Sequence, residues 1–173
     1  DFVQIPDSPE LDPTQAATFD AWVFFRQLPS VAGHIMEIVA KSGNGADLDL
    51  QAEKDNKFYF FAGAGSPIKV VSTTVIQVGQ WYHVAYVVTP AGYTLYVNGN
   101  PVDAGTVSAT PVLVNTNDVL RIGYASGRLM KGWLDEVHVF SRALADDEIL
   151  GLYLGSEPLL TLDFENNFAD TSA

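Results

Sequence analysis

The feature that most constrains the fold is a series of short segments rich in aromatic and β-branched residues, separated by clusters of Gly, Pro, Asn and Ser. The segments with the length and composition of strands are Phe2–Ile5, Thr18–Phe25, Ile35–Lys41, Asp47–Ala52, Lys57–Gly63, Lys69–Thr73, Trp81–Thr89, Tyr93–Val97, Val119–Gly123 and Gly132–Phe140. Short strands with regular breakers are typical of an antiparallel sandwich or barrel. The dipeptide Asn98-Gly99 predicts a hairpin, because both turn residues tolerate positive φ.

One segment near the C-terminus has helical spacing instead. Ala145–Leu154 places apolar residues on one helical face and acidic residues in the first turn, where the helix dipole favours anions. Gly155 and Pro158 end this segment, and a β-branched run resumes at Leu159–Phe164. The pattern therefore predicts one short helix followed by another strand.

Composition excludes several classes of protein. The 173 residues suit one domain, and the absence of cysteine excludes a disulfide framework or a Cys-ligated metal site. The 21 acidic residues against 9 basic ones argue against nucleic-acid binding and fit a divalent cation such as calcium. No apolar run reaches the ~18 residues of a membrane span. The chain begins at Asp1 without Met or a signal peptide, which indicates a mature product or an excised piece.

Residues that could carry out catalysis show no recognisable arrangement. There is no serine nucleophile elbow, glycine-rich phosphate loop or His-x-x-x-His spacing. His34, His83 and His138 are scattered along the chain, and Asp47 and Asp49 are more typical of the polar side of a half-exposed strand. We therefore predict no catalytic residue and expect a protein that is not an enzyme.

Five segments occur in an order that resembles the laminin G-like, concanavalin A-like jelly-roll family. They are Thr18–Val23, Trp81–Ala85, Leu95–Gly99, Leu120–Gly123 and Gly132–Val137. The resemblance covers roughly residues 1–154 and implies an all-β, two-sheet antiparallel jelly roll with one short helix near the C-terminus. It also implies an extracellular or cell-surface location, and a hydrogen-bonded sheet histidine at His83. The resemblance also brings to mind the glucanases of this broad fold, which carry a Glu-x-Asp-x-x-Glu pattern that this sequence lacks.

The terminal segments depart from the order typical of the family. Family domains usually open with an apolar strand that ends in acidic residues, and the similar segment here, Leu159–Phe164, lies at the C-terminus. We therefore divide the chain into a jelly roll of residues 1–154 and a displaced opening strand within residues 155–173. Either circular permutation or a cut through a tandem array would produce this order. The strand would pair with Gly132–Phe140 of the same chain or of a neighbouring copy.

A structural calcium site is predicted near these terminal strands. Simple alternation puts Asp135 of Gly132–Phe140 in a row whose other members, Trp133, Val137 and Val139, are apolar. A buried carboxylate must be paired, hydrogen-bonded or coordinated. The resemblance implies calcium near the meeting point of the terminal strands, with Asp135, Asp163 and Asp170 as its ligands. The alternative is that Asp135 accepts hydrogen bonds from loop N–H groups or from an arginine such as Arg121 or Arg142.

Loops at the ends of the sandwich are the candidate ligand-binding positions. The polar residues that could contact a ligand there are Asn44, Ser66, Tyr124, Ser126 and Arg128. The three tryptophans could suggest sugar-stacking platforms, but each lies within a family strand motif. We therefore expect most or all of Trp22, Trp81 and Trp133 to belong to the core.

The sequence as a whole predicts a noncatalytic extracellular recognition or adhesion module. Its partner would be a carbohydrate or a cell-surface protein. One alternative is a structural subunit of a surface filament or array, assembled by donation of the C-terminal strand between chains. A glycoside hydrolase is the least favoured alternative and rests only on relatives that share the fold.

Overall fold

A computed structural model describes residues 1–13, 15–41, 46–64, 68–106 and 117–155. Its strands are β1 (Val3–Ile5), β2 (Ala17–Phe25), β3 (Met36–Ala40), β4 (Ala46–Ala52), β5 (Lys57–Ala64), β6 (Ile68–Val75), β7 (Trp81–Val88), β8 (Gly92–Val97), β9 (Asn100–Thr106), β10 (Leu120–Ile122), β11 (Tyr124–Ala125), β12 (Arg128–Leu129) and β13 (Gly132–Phe140). Its α-helices are α1 (Pro29–Ala32) and α2 (Asp146–Leu154). The predicted strand Leu159–Phe164 lies outside the described residues, so its pairing stays a prediction.

Two antiparallel sheets form the sandwich. The six-stranded sheet has the order β1-β10-β3-β4-β5-β6, and the five-stranded sheet has the order β13-β2-β7-β8-β9. The predicted two-sheet antiparallel architecture is therefore confirmed. The hairpin at Asn98-Gly99 is also confirmed: both residues have positive φ, 51° and 72°, and they join β8 to β9. The strands β9, β11 and β12 were not predicted. None of the helices in the described residues is long and apolar enough to span a membrane.

The main core fills the space between the two sheets. Alternate residues of β2 and β7 point into it, so that Val23 lies opposite Tyr82 and Phe19 opposite Tyr86. Residues of β5 such as Phe60 close the core from the other sheet. Each such apolar side chain contributes about 1.5–3 kcal/mol on burial. This core holds the five-stranded sheet rigidly and leaves the intervening residues on its outer face.

A second apolar cluster lies on that outer face, beneath α2. Ile149 and Leu152 of α2 pack against Ala85 and Tyr96 of the sheet. The Tyr96 hydroxyl donates a hydrogen bond of 2.7 Å to Asp146 at the start of α2. Burial and this bond raise the pKa of Tyr96 to about 12. Helix α2, which was predicted as Ala145–Leu154, therefore covers part of the outer face.

The N-terminus of α2 is held by an ion pair. Ala145 occupies the N-cap and has no side-chain acceptor. Glu148 instead accepts the N–H of Ala145 at 2.9 Å. The Arg142 guanidinium donates to both Glu148 carboxylate oxygens, at 2.8 and 2.6 Å. These bonds, with Arg142 contributing most, hold the pKa of Glu148 down at about 2.

An extra residue in β13 changes the direction of its side chains. Asp135 pairs with Trp22 and His138 pairs with Asp20, so β13 advances three positions while β2 advances two. Glu136 has a φ of 45°, as expected at a β-bulge. Before the bulge Asp135 points outward, whereas Val137 beyond it points into the core.

The face assigned to Asp135 from simple alternation is therefore wrong. Trp133 and Asp135 do not share a face with Val137 and Val139, because the bulge shifts the alternation by one residue. Trp133 is 49% exposed, while Val137 is 2% exposed. Asp135 is only partly buried, so its carboxylate is not isolated in the core.

We predict that the contribution of Glu148 to stability depends on pH. Since its pKa is lowered from 4.5 in the unfolded chain to about 2, this contribution is present above pH 4.5 and is lost as the pH falls toward 2. Urea unfolding of the wild type and Glu148→Gln should show a less stable variant at neutral pH. The difference should shrink below pH 4.5. A difference that stayed constant with pH would contradict the prediction.

Candidate functional site

Three aromatic side chains form a row across the outer face of the five-stranded sheet. Trp133 of β13 pairs with Phe24 of β2, and Phe24 pairs with Trp81 of β7. The ring centroids of Phe24 and Trp133 are 4.7 Å apart and those of Phe24 and Trp81 are 5.4 Å apart. Because paired residues in adjacent strands point to the same side, all three rings lie on the outer face, where the Phe24 and Trp133 rings stack on one another at an interplanar angle of 30°. We call Trp133, Phe24 and Trp81 the aromatic row.

The aromatic row is exposed, which corrects the expectation that the tryptophans belong to the core. Trp133 is 49% exposed and Trp81 is 36% exposed. Their strand motifs were recognised correctly, but both occupy outward positions of those strands. The remaining tryptophan, Trp22, is half-buried because it stacks on Tyr153 of α2 at 5.6 Å. The row therefore begins where the cover of α2 ends.

Gly132 allows β13 to approach β2 closely at the aromatic row. A Cβ at this position would overlap the carbonyl oxygen of Phe24. Gly132 pairs with Phe25, directly beside the pair formed by Trp133 and Phe24. This close contact between the two backbones sets the position of Trp133 along β13, so that its ring lies against the Phe24 ring.

Two basic residues lie on one side of the aromatic row, along the strand direction. Arg26 follows β2, and its backbone N–H donates to the Lys131 carbonyl at 2.9 Å. The Arg26 side chain is exposed, and its guanidinium carbon lies 5.6 Å from the centre of a Trp133 ring. Neither Arg26 nor Lys131 forms a salt bridge with another residue in the described parts of the chain. This side of the row therefore carries the positive charge of Arg26.

A buried group of Asp20, His83 and His138 lies farther along the same face. Asp20 lies 3.1 Å from Nε2 of His83 and 3.0 Å from Nδ1 of His138. All three side chains are at most 2% exposed. A carboxylate oxygen only accepts hydrogen bonds, so each of these ring nitrogens donates to Asp20. The sheet histidine expected at His83 is confirmed, and we call these residues the Asp20 group.

The three histidines are scattered along the sequence, and their spacing does not predict the Asp20 group. The bulge in β13 turns His138 toward Asp20, and no simple alternation predicts that. The sequence feature that could have indicated the group is Asp20, the lone acidic residue in the mostly apolar strand β2. The other nitrogens, Nδ1 of His83 and Nε2 of His138, have no hydrogen-bond partner among the described residues. Because the group is closed off from solvent, we assign it a structural role.

The predicted ligand residues on residues 124–128 lie on a different surface. Tyr124 and Arg128 belong to the hairpin β11–β12, whose turn contains Ser126 with a φ of 50°. One Arg128 guanidinium nitrogen donates to Gln51 at 3.0 Å and to Glu37 at 3.4 Å. The Tyr124 ring lies 5.0 Å from Phe2. Asn44 and Ser66 lie outside the described residues, so the five are not shown to share one site.

The outer face of the six-stranded sheet carries both polar and aromatic side chains. Tyr59 donates a hydrogen bond of 2.8 Å to Asp55, and burial together with that bond raises the pKa of Tyr59 to about 12. The Lys69 ammonium lies 4.7 Å from the Tyr59 ring centre. Asp49 is 7% exposed, so it is not on a half-exposed polar face as expected. The side chain of Asp47 lies outside the described residues.

Of the three predicted calcium ligands, only Asp135 lies among the described residues. The described residues contain no group of three or more His, Cys, Asp or Glu side chains placed to hold a metal ion. One oxygen of Asp135 accepts the Glu136 N–H at 2.8 Å, the kind of bond considered as the alternative to calcium. Asp163 and Asp170 lie outside the described residues. Calcium binding by these three residues stays a prediction.

We predict that Asp20→Asn destabilises the fold by about 2 kcal/mol, because buried imidazole donors lose a charged acceptor. Urea unfolding measures the loss, with Asp103→Asn on β9 as a control for the same chemical change. Combining Asp20→Asn with His138→Gln should cost less than the sum of the two single changes, since the two side chains share one hydrogen bond. Additive losses would show that Asp20 and His138 act independently.

Solved structures of several binding domains share this fold. Domain 4 of AbnA, a GH43 extracellular arabinanase from Geobacillus stearothermophilus in complex with arabinotriose, has a TM-score of 0.73 and 22% identity over 88% of this chain and 72% of that chain. The binding domain of Paraclostridial Mosquitocidal Protein 1 has a TM-score of 0.70 and 18% identity, over 88% of this chain and 40% of that chain. Botulinum neurotoxin type C, whose cell entry depends on two ganglioside molecules, has a TM-score of 0.69 and 12% identity, over 91% of this chain and 40% of that chain.

These identities are low, so the structural similarities establish the fold alone. Comparison with curated protein sequences gives no match. A family model does match: the Laminin_G_3 model of the concanavalin A-like lectin/glucanases superfamily covers residues 1–150. Since this match spans most of the 173 residues, the chain belongs to the concanavalin A-like lectin/glucanases superfamily.

Proposed function

We propose that this domain is a noncatalytic recognition module that binds carbohydrate through the aromatic row. The observation that carries the proposal is the exposure of Trp133 and Trp81 on a sheet whose other large rings are buried or half-buried. Aromatic faces carry a partial negative charge and stack well against the C–H faces of sugar rings. Exposed contiguous apolar groups on a soluble domain commonly mark a binding surface.

The size of the aromatic row favours a sugar over a protein partner. The row spans three strands, and adjacent strands lie about 4.8 Å apart, so it is roughly 10 Å long. A stable protein–protein interface buries about 800 Å² on each partner, which is far more than three partly exposed rings provide. A short oligosaccharide matches the row more closely.

Comparison with related structures supports the same class of ligand. One structural neighbour was solved with arabinotriose, and another is a toxin whose cell entry depends on gangliosides. A further neighbour, the binding domain of botulinum neurotoxin DC, was solved in complex with a protein, rat synaptotagmin II. We therefore place protein partners second, and we extend the proposal to an extracellular module.

We predict that Trp133→Ala lowers carbohydrate affinity about tenfold, because stacking on one ring contributes about 1.4 kcal/mol, a tenfold change in affinity. A glycan array with the wild type identifies bound glycans, and calorimetry with the best of these measures the loss. Phe2→Ala is the matched control, since Phe2 is also 49% exposed but lies beside the other sheet. Equal affinity of Trp133→Ala and the wild type would remove the aromatic row as the site.

A second candidate function follows from the edge of the five-stranded sheet. Among the described residues, β13 is an edge strand with no neighbour beyond it. Such an edge accepts an added strand through its backbone hydrogen bonds. The segment Leu159–Phe164 of a neighbouring copy would supply that strand in a filament or array.

If Leu159–Phe164 is donated between chains, we predict that the full chain self-associates as its concentration rises. Light scattering measures the mass, and Leu162→Pro should return the chain to monomers, since proline removes a backbone donor. Leu162→Ala serves as the control, because it keeps that donor. A wild-type monomer at every concentration would rule this candidate out and leave the carbohydrate proposal intact.

A further inference from the structure

The charge beside the aromatic row is opposite to the charge of the chain. The sequence has 9 Lys and Arg against 21 Asp and Glu. Two of these cations lie on one side of the row: Arg26 follows β2 and Lys131 precedes β13, and the backbone N–H of Arg26 donates a hydrogen bond to the Lys131 carbonyl. An acidic protein thus presents a local positive site next to exposed rings.

Arg26 forms no salt bridge within the described residues, in contrast to Arg142 and Lys41. Arg142 binds Glu148 through two hydrogen bonds, and Lys41 binds two aspartates. Arg26 makes a contact with the Trp133 ring instead, and no salt bridge within the described residues restrains it. Its guanidinium can therefore turn toward an added anion without losing an ion pair there.

The position of Arg26 makes the two sides of the aromatic row different in charge. Arg26 is two residues beyond Phe24, so its Cα lies about 7 Å from that of Phe24 along the strand direction. Asp135 lies on the opposite side of the row, because it pairs with Trp22, four residues before Arg26. That separation is roughly 13 Å along the strand direction. A ligand stacked on Trp133 therefore meets cations on one side and a carboxylate on the other.

We propose that the aromatic row selects a sugar that carries a carboxylate, such as a uronic or sialic acid, and this proposal rests on the carbohydrate-binding function above. The sugar ring stacks on Trp133 and takes the place of the Arg26 guanidinium, which lies over that ring in the unbound chain. Its carboxylate points away from Asp135 and accepts hydrogen bonds from the Arg26 guanidinium, with Lys131 adding positive charge. A guanidinium can hold a carboxylate with two parallel hydrogen bonds, which gives both affinity and orientation.

The test compares each acidic glycan with its methyl ester, which differs in charge and little else. The probes are oligogalacturonides and sialylated oligosaccharides, measured by calorimetry as free acids and as esters. The wild type should bind at least one free acid about tenfold more tightly than its ester. Arg26→Gln should remove that preference, whereas Lys54→Gln should keep it, since Lys54 is an exposed cation on the other sheet.

The outcomes separate this inference from the function on which it rests. If acids and esters bind equally and Trp133→Ala weakens both, the carbohydrate site stands and the preference for a carboxylate is wrong. If Arg26→Gln leaves the preference unchanged, the assignment of Arg26 is wrong. If acidic peptides bind in place of every glycan, or if no glycan binds, both proposals fall. The preference should also decrease with added salt, because charges at exposed sites are screened.

Discussion

The outer face of the five-stranded sheet depends on the single extra residue in β13. Without the bulge at Glu136, alternation would carry His138 to the same side as Leu134, into the space between the sheets. With it, Leu134 and Val137 both point into the core, and His138 points outward to Asp20. The strand therefore contributes to three features at once: the core, the Asp20 group and the aromatic row.

The Asp20 group and α2 divide this face into a covered part and an open part. Burying a carboxylate is costly unless donors satisfy it, and two imidazoles do so here. Trp22 lies over His83 at 5.5 Å and stacks on Tyr153, so α2 closes the covered part. The aromatic row lies just beyond this boundary. A rigid, closed region beside an open row of rings holds those rings in place before a ligand arrives, which lowers the entropy lost on binding.

The sequence carried enough information for the architecture but not for the site. Strand motifs, the turn at Asn98-Gly99 and the short helix α2 are local patterns, and local patterns predict local structure well. The exposure of Trp133 was missed because membership of a strand does not say which face a residue occupies. That assignment requires the register, and one bulge reverses it. The contact of Arg26 with Trp133 joins residues more than one hundred positions apart, so no local pattern contains it.

The net charge of −12 is compatible with binding an acidic sugar, because the two charges act over different distances. At physiological ionic strength exposed charges are screened beyond about 8 Å, so most of the acidic surface does not reach a ligand on Trp133. Arg26 does, since its guanidinium lies 5.6 Å from that ring. For the proposed acidic ligand, the distant carboxylates would mainly reduce the rate of approach, whereas Arg26 would affect how long the ligand stays bound. A cationic site on an acidic domain would therefore bind an anionic ligand slowly, through a local contact that added salt weakens.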